Sequence, residues 1–478
     1  MVATERWAVR PIYPFEADGR RYLFVVESAA FAELGEESWA VADFLAARKR
    51  ATGLEVLGAL GSRIGDDAVR SGLDEMSRLG VLVPADLPWM PPDARVPVRT
   101  GFGSLTLHVA HDCNLRCGYC YAEYGRYGGE AGMMSPETAV LLVDRLFDDA
   151  ADRRVVHVTF FGGEPLLNMP AVYAAAERAE SLAKKSGREL RMGLTTNGTL
   201  LTSEIAAWLR EHHITVSVSL DGPADVNDRL RPYADGRGSY EAVVDAVRRT
   251  GLRCVARVTL TRRSTDVARI VRHLVDVGFH EVGVAPVATG DARYDLGPAH
   301  LEKVLVGYRA LAVDFVDAIA NGRSFPFSNL RAMIEQIHAG EARPMPCGAG
   351  LELAAASMDG ELYACHRMLG APSFRTGSLA SGIDEPARWK FLSDHHPRNR
   401  PPCETCWARF LCGGGCHHMA HVLGPKDGPV EIPEFFCDFL RAQFRIGLLA
   451  YAEIATRAPG WLDRLDPAPT ACSQPVGF

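Results

Sequence analysis

Residues 111–121 read HDCNLRCGYCY and set Cys113, Cys117 and Cys120 in a C-x3-C-x2-C spacing. Three thiols within eight residues are too crowded for ordinary disulfide pairing. Zinc is one possible occupant, but closed structural zinc sites take four ligands, usually as two separated pairs, and no second pair lies near this loop. Soft thiolates also select iron–sulfur clusters, and a four-iron cluster held by three cysteines leaves one iron open to an outside ligand. An open iron is a place for a reactive cofactor. The bland alternatives are a redox-inert zinc knuckle or unpaired thiols.

A second set follows, in which Cys347 precedes Gly360 and Cys365, and Cys403, Cys406, Cys412 and Cys416 form C-x2-C-x5-C-x3-C with Cys437 beyond. Seven cysteines in about ninety residues point to metal, because exposed free thiols are reactive liabilities. A double zinc ribbon is the rival reading; it needs eight ligands, with His366, His417, His418 or His421 filling the vacancy. Cys254 lies in an apolar run and reads as a small buried hydrophobe, and Cys472 as a thiol on an irregular tail.

The elements that must position these cysteines fall into units. At 478 residues the chain is long enough for roughly three domains of about 150 residues. It is 47% hydrophobic with a formal charge of −7, which supplies apolar cores and no electrostatic case for nucleic acid or anionic membranes. No basic segment followed by an apolar run opens the chain, and no stretch reaches the ~18 apolar residues of a membrane span, so the expected location is cytoplasmic.

Residues 1–95 contain no cysteine. A strand is expected at 21–26, helices at 38–47, 54–64 and 66–79, and a short apolar run at 81–83, an order that suggests a winged helix. Such a unit either packs as an accessory domain or offers a strand edge to an extended peptide. Five prolines between Pro84 and Arg99 read as a linker.

Residues 100–297 alternate strands, expected at 105–109, 155–161, 190–195, 215–220, 254–260 and 281–285, with helices, the first opened by Ser135-Pro136-Glu137. Six β-α units imply a parallel sheet, and parallel barrels place their chemistry at the C-terminal strand ends. The cysteine loop follows the first strand. Gly162-Gly163-Glu164-Pro165, Thr196-Asn197-Gly198 and Ser219-Leu220-Asp221-Gly222 end the next three. A helical bridge is expected over 298–340, the second cysteine region over 341–450, and an irregular tail over 451–478.

The cysteine triplet with these strand-end motifs resembles the radical S-adenosylmethionine (SAM) enzymes. The resemblance implies a partial (β/α)6 barrel, here with an N-terminal winged-helix-like domain and a C-terminal cysteine-rich SPASM domain. It makes Cys113, Cys117 and Cys120 both cluster ligands and catalytic, with the open iron chelating SAM. Gly162, Gly163 and Glu164 would then accept from the SAM ammonium, Asn197 and Ser219 would meet the ribose, and Arg257 would pair with the methionine carboxylate. Asp221 is either a turn residue or a direct participant.

The second cysteine region resembles the SPASM extension, which implies two auxiliary four-iron clusters, three in all. By that likeness Cys403, Cys406, Cys412 and Cys437 hold the outer one and Cys347, Cys365 and Cys416 the inner one. Sulfatase-maturing relatives carry an eighth cysteine where this chain has Leu353, and an acidic residue where it has His366. Both departures argue against formylglycine chemistry and leave the inner cluster's fourth position to another ligand, a substrate cysteine being the natural candidate. The segments 350–366 and 406–416 look like thioether-forming maturases of ribosomally made peptides, such as those of SCIFF peptides and of the quinohaemoprotein amine dehydrogenase small subunit. The implied partners are a precursor peptide or small protein and an electron donor such as flavodoxin or ferredoxin. A carbon–carbon or carbon–oxygen crosslink is the alternative reaction, and a metal-stabilised peptide-binding scaffold without catalysis the alternative class.

Overall fold

The computed structural model describes residues 6–86, 101–150, 152–340, 342–425 and 430–465. Most of the proline-rich linker and Cys472 lie outside the described residues.

The first unit holds two small antiparallel sheets and three helices. β1 (Arg6–Val9) is followed by β2 (Ile12–Ala17), β3 (Arg20–Val25), β4 (Ala30–Glu33), α1 (Glu36–Ala46), β5 (Arg50–Thr52), α2 (Gly53–Ile64), α3 (Asp66–Arg78) and β6 (Leu82–Pro84). The sheet orders are β5-β1-β6 and β2-β3-β4. A capping box starts α2, where the Thr52 hydroxyl accepts from the Glu55 amide and the Glu55 carboxylate from the Thr52 amide. The three helices and β3 stand close to where apolar spacing put them. β1, β4 and β5 escaped because strands of three or four residues are too short to display a period, and β2 because Pro14 interrupts it.

β3 explains how the unit is attached. Its residues alternate, Leu23 and Val25 entering the small core with the helices while Tyr22 and Phe24 enter the main core of the chain. Both faces are covered, which is why the run is apolar without a break. Tyr13 stacks on Trp407 with ring centroids 4.2 Å apart, and Glu27 pairs with Arg409 at 3.4 Å. Residues 6–86 therefore share packing with the second cysteine region.

The main sheet begins with β7 (Ser104–Ala110). It continues through α4 (Pro136–Asp149), β8 (Val155–Gly162), α5 (Met169–Ser186), β9 (Glu189–Thr196), α6 (Ser203–Glu211), β10 (Ile214–Ser219), α7 (Ala224–Leu230), α8 (Tyr240–Thr250), β11 (Cys254–Leu260), α9 (Val267–Val277) and β12 (Glu281–Pro286). The six strands are parallel and neighbour one another in chain order. The Ser135 hydroxyl caps α4 by accepting from the Thr138 amide at 3.0 Å. Leu105, Leu107 and Val109 of β7 join the helix-facing core, so Thr106 and His108 face the opposite side of the sheet. Cys254 is 2% exposed and packs in the same core.

The sheet does not end at β7. After α10 (Pro298–Ala320) and α11 (Ser328–Ala339), β13 (Leu353–Ala356) pairs parallel with β7, Leu353 opposite Ser104. β14 (Glu361–Tyr363), β15 (Arg375–Ser378) and β16 (Gly382–Ile383) extend it antiparallel to ten strands. The sequence Leu-Ala-Ala-Ala of β13 lacks the β-branched and aromatic residues that mark a strand. Then come α12 (Glu385–Asp394), α13 (Pro401–Glu404), α14 (Arg409–Cys412), α15 (His417–Leu423), α16 (Glu434–Arg457), which packs along α10, and α17 (Pro459–Leu462). Among the described residues no helix is long and apolar enough to cross a membrane.

Candidate active site

The cysteine loop leaves the C-terminal end of β7. Cys117 is buried, Cys113 and Cys120 are half-buried, and none of the three is in a disulfide. Burial pushes the Cys113 thiol up to about 11 and that of Cys117 up to about 12, and the charge of Cys120 raises both further. Two amides already point at sulfur, Leu115 N–H to Cys113 Sγ at 3.4 Å and Tyr124 N–H to Cys120 Sγ at 3.3 Å. A cationic occupant would turn these buried thiols into thiolates, and amides aimed at the sulfurs suit cluster ligands. Among the described residues no three His, Cys, Asp or Glu side chains converge on a single metal ion. The fit to a cluster thus rests on the thiols, their burial and their amide donors.

The end of β8 is docked on this loop backbone to backbone. Gly163 N–H donates to Ala110 O at 2.7 Å and Glu164 N–H to Asp112 O at 2.9 Å. A Cβ on Gly162, whose φ is +140°, would lie 2.3 Å from Ala110 O, and one on Gly163 would lie 2.1 Å from Asp112 O. Only glycine permits that approach. Both glycines therefore do structural work beside any role toward a cofactor.

Glu164 has no exposure, and its carboxylate accepts from Leu166 N–H at 3.0 Å, the Thr196 hydroxyl at 2.7 Å and Asn197 N–H at 2.7 Å. Burial raises its pKa and these bonds oppose the rise. Three of about four acceptor positions are filled, joining the ends of β8 and β9. The Asn197 side-chain amide donates to Asn114 Oδ1 at 2.8 Å and reaches Cys113 Sγ at 3.7 Å.

Ser219 and Arg257 sit side by side in register on β10 and β11, and Arg257 faces Gly283 of β12. A Cβ on Gly283 would stand 2.7 Å from an Arg257 guanidinium nitrogen, so the glycine makes room for that side chain. The Arg257 guanidinium has no hydrogen bond or ion pair among the described residues, and burial lowers its pKa. A half-buried cation in that state is suited to an anionic ligand.

Sequence reasoning missed Arg231 and left Asp221 undecided. The Tyr119 hydroxyl, between Cys117 and Cys120, donates to Asp221 Oδ2 at 2.6 Å, and Arg231 donates to the same hydroxyl at 2.6 Å. Asp221 also accepts from Thr259 N–H at 2.9 Å. All three side chains are buried, and the charge of Arg231 partly offsets the burial that raises Cys117. Asp221 thus anchors the cysteine loop. Arg231 lay hidden in DRLRPYADGRG, which looks like a solvated charged stretch. Replacing Asp221 by Ala should cost about 3 kcal/mol, since it strands a buried cation. Thermal unfolding of the iron-free chain reads this; an unchanged midpoint would remove the anchoring role.

In the second region the charges of Cys406 and Cys437 act on Cys403, and those of Cys403, Cys406 and Cys437 act on Cys412. Cys365 feels Cys416, and Arg367 lies within reach of Cys416, Cys365 and Cys347. Electrostatic reach thus relates Cys403, Cys406, Cys412 and Cys437 to one another, and Cys365 to Cys416. The turn Gly413-Gly414-Gly415 separates Cys412 from Cys416 and has φ values of +65°, +92° and +74°, a left-handed run open to glycine. Leu353, in place of an eighth cysteine, belongs to β13. Burial, then Arg367, pushes His366 down to about 3, so its imidazole is neutral, and its ring lies 5.1 Å from that of Phe161.

Tyr121 and Tyr127 bridge the two regions, each lying within electrostatic reach of both Cys120 and Cys365. His418 meets Tyr121 with ring centroids 5.4 Å apart. Tyr121 and Tyr127 thus lie close to both the cysteine loop and Cys365.

Residues 107–285, the span from β7 to β12, match the family described as the Radical SAM superfamily. The strands β7 to β12 and the helices between them thus form a Radical SAM domain. Over 356 residues the chain is 25% identical to the serine-type anaerobic sulfatase-maturating enzyme of Klebsiella aerogenes, spanning 71% of this chain and 85% of that one. Among solved structures, anSMEcpe with bound AdoMet and the Kp18Cys peptide superposes with a TM-score of 0.64 at 20% identity, covering 74% of this chain and 99% of that chain. Streptococcus suis SuiB bound to its precursor peptide SuiA gives 0.50 at 14% identity, over 90% and 99%.

Proposed function

We propose that this chain is a maturase that closes an intramolecular thioether in a ribosomally made precursor peptide or small protein, joining a substrate cysteine sulfur to an acceptor carbon. The observation that supports it is that Tyr121 and Tyr127 each lie within electrostatic reach of Cys120 in the cysteine loop and of Cys365 in the second cysteine region. A sulfur held at one and a carbon held at the other would be neighbours. The relatives named for sulfatase maturation, and the neighbours solved with bound peptides, support a peptide substrate.

When bound, SAM and the clusters supply a 5′-deoxyadenosyl radical and a sink for the surplus electron. The chain's part is to bind, orient and exclude water. Arg257 pairs with the methionine carboxylate and Ser219 with the ribose. The strand end at Gly162, Gly163 and Glu164 receives the ammonium, and Asn197 holds the ribose edge beside Cys113. Cys403, Cys406, Cys412 and Cys437 close one auxiliary site. Cys347, Cys365 and Cys416 leave one position of the other to a further ligand, which the substrate thiol fills. A product lighter than its linear precursor by about two mass units per crosslink is the expected result, because coupling C–H to S–H releases two hydrogens.

Residues 1–95 take the leader in this reading, through a strand edge of β4, β5 or β6. Deleting them would remove Tyr22 and Phe24 from the main core, so the intact chain is the proper subject. Added precursor peptide should slow amide hydrogen exchange along one of those edges. Protection confined to residues 101–465 would assign leader recognition elsewhere.

A further inference from the structure

Arg400 is 1% exposed and stands among the largest fully buried side chains. Its carbonyl accepts from Cys403 N–H at 2.9 Å, and its guanidinium donates to Gly414 O inside the turn between Cys412 and Cys416. A second guanidinium nitrogen meets His395 Nδ1 at 3.1 Å, and Nε has no partner. Arg400 is thereby tied at both ends to loops that carry cysteines.

Burial this complete ordinarily requires a carboxylate. Arg388, equally buried, has one, pairing with Glu385 at 2.9 Å and donating to Gly350 O and Leu351 O. Among the described residues Arg400 has no such partner. His395 cannot supply negative charge, because an imidazole is neutral or cationic; burial and then Arg400 hold it neutral, and it is backed by His417 at 3.1 Å. The groups whose charge does act on Arg400 are Cys403, Cys412, Cys416 and Cys437, which come from both cysteine groups.

We propose that Arg400 is the counter-charge shared by the two auxiliary clusters, holding both at a higher reduction potential than they would otherwise have. The inference rests on reading those cysteines as cluster ligands. Reduction adds negative charge to a cluster, so a fixed neighbouring cation favours the reduced form. Arg400 is a positioning and tuning residue rather than a catalytic one.

The test uses the full chain with Cys113, Cys117 and Cys120 replaced by Ala, so that only auxiliary clusters remain after anaerobic reconstitution. Arg400→Gln and Arg400→Lys are made in that background and reduction is followed by electron paramagnetic resonance. Arg400→Gln should lower the reduced fraction at a fixed applied potential about tenfold, the order expected of one charge in a protein interior. Arg400→Lys, which keeps the charge and loses the planar fork, should stay near the parent. Should Arg400→Gln lose iron while Arg400→Lys keeps iron and potential, the charge is again the cause. An iron-loaded Arg400→Gln with the parent's potential overturns the proposal, as does equal loss of iron in both variants, which would make Arg400 a peg for the glycine turn. A parent without auxiliary iron overturns the cluster reading and this inference with it.

Discussion

Replacing Cys113, Cys117 and Cys120 together by alanine should abolish SAM cleavage and remove about a third of the iron, from roughly twelve per chain to roughly eight, the arithmetic of three four-iron clusters. The variant is expected to fold. Cysteine packs as a small hydrophobe, and the loop is pinned by contacts that need no cluster. Gly163 N–H bonds to Ala110 O, and Tyr119 is held by Asp221 and Arg231. The remaining iron–sulfur absorbance then belongs to Cys347, Cys365, Cys416 and to Cys403, Cys406, Cys412, Cys437. Iron content and 5′-deoxyadenosine yield read the result. Residual SAM cleavage at the parent's rate would move the chemistry elsewhere, and stoichiometric zinc without visible absorbance in the parent would end the iron–sulfur account.

Much of this site was legible in the chain because its signals are local. Cysteine spacing reads directly, and β7 to β12 announce themselves as apolar runs between amphipathic helices. Glycine pairs at strand ends are also visible, although their use is not. The family likeness points Gly162 and Gly163 at a cofactor, and the structure adds that they bring β8 against Ala110 and Asp112. What stayed hidden joins residues far apart in sequence. Arg231 meets Tyr119 across 112 positions, and Glu27 meets Arg409 across 382. No period in a sequence tells which buried charge answers which. For the same reason nothing in PRNRPPC marks Arg400 as a buried cation without a carboxylate.

The second large effect concerns the substrate. In the proposed reading Cys347, Cys365 and Cys416 leave one position of the inner site open; a peptide lacking its own cysteine has nothing to place there, and a serine hydroxyl is a poor substitute for a thiolate as ligand and as nucleophile. A Cys-to-Ser peptide should be crosslinked more slowly by roughly a hundredfold or worse, a loss in keeping with removal of an activated sulfur nucleophile. It should also leave the inner cluster's spectrum unperturbed, while the natural peptide shifts it. SAM cleavage without crosslinking should persist with the serine peptide, because the radical is made at the other site.

The most direct measurement is tandem mass spectrometry of the precursor peptide after anaerobic incubation with the full chain, SAM and a reductant. The account predicts a loss of about two mass units per crosslink, the oxidation of one C–H and one S–H, with fragmentation placing the link at a cysteine sulfur. A link mapped between two carbons, formed at an undiminished rate in the Cys-to-Ser peptide, would contradict it.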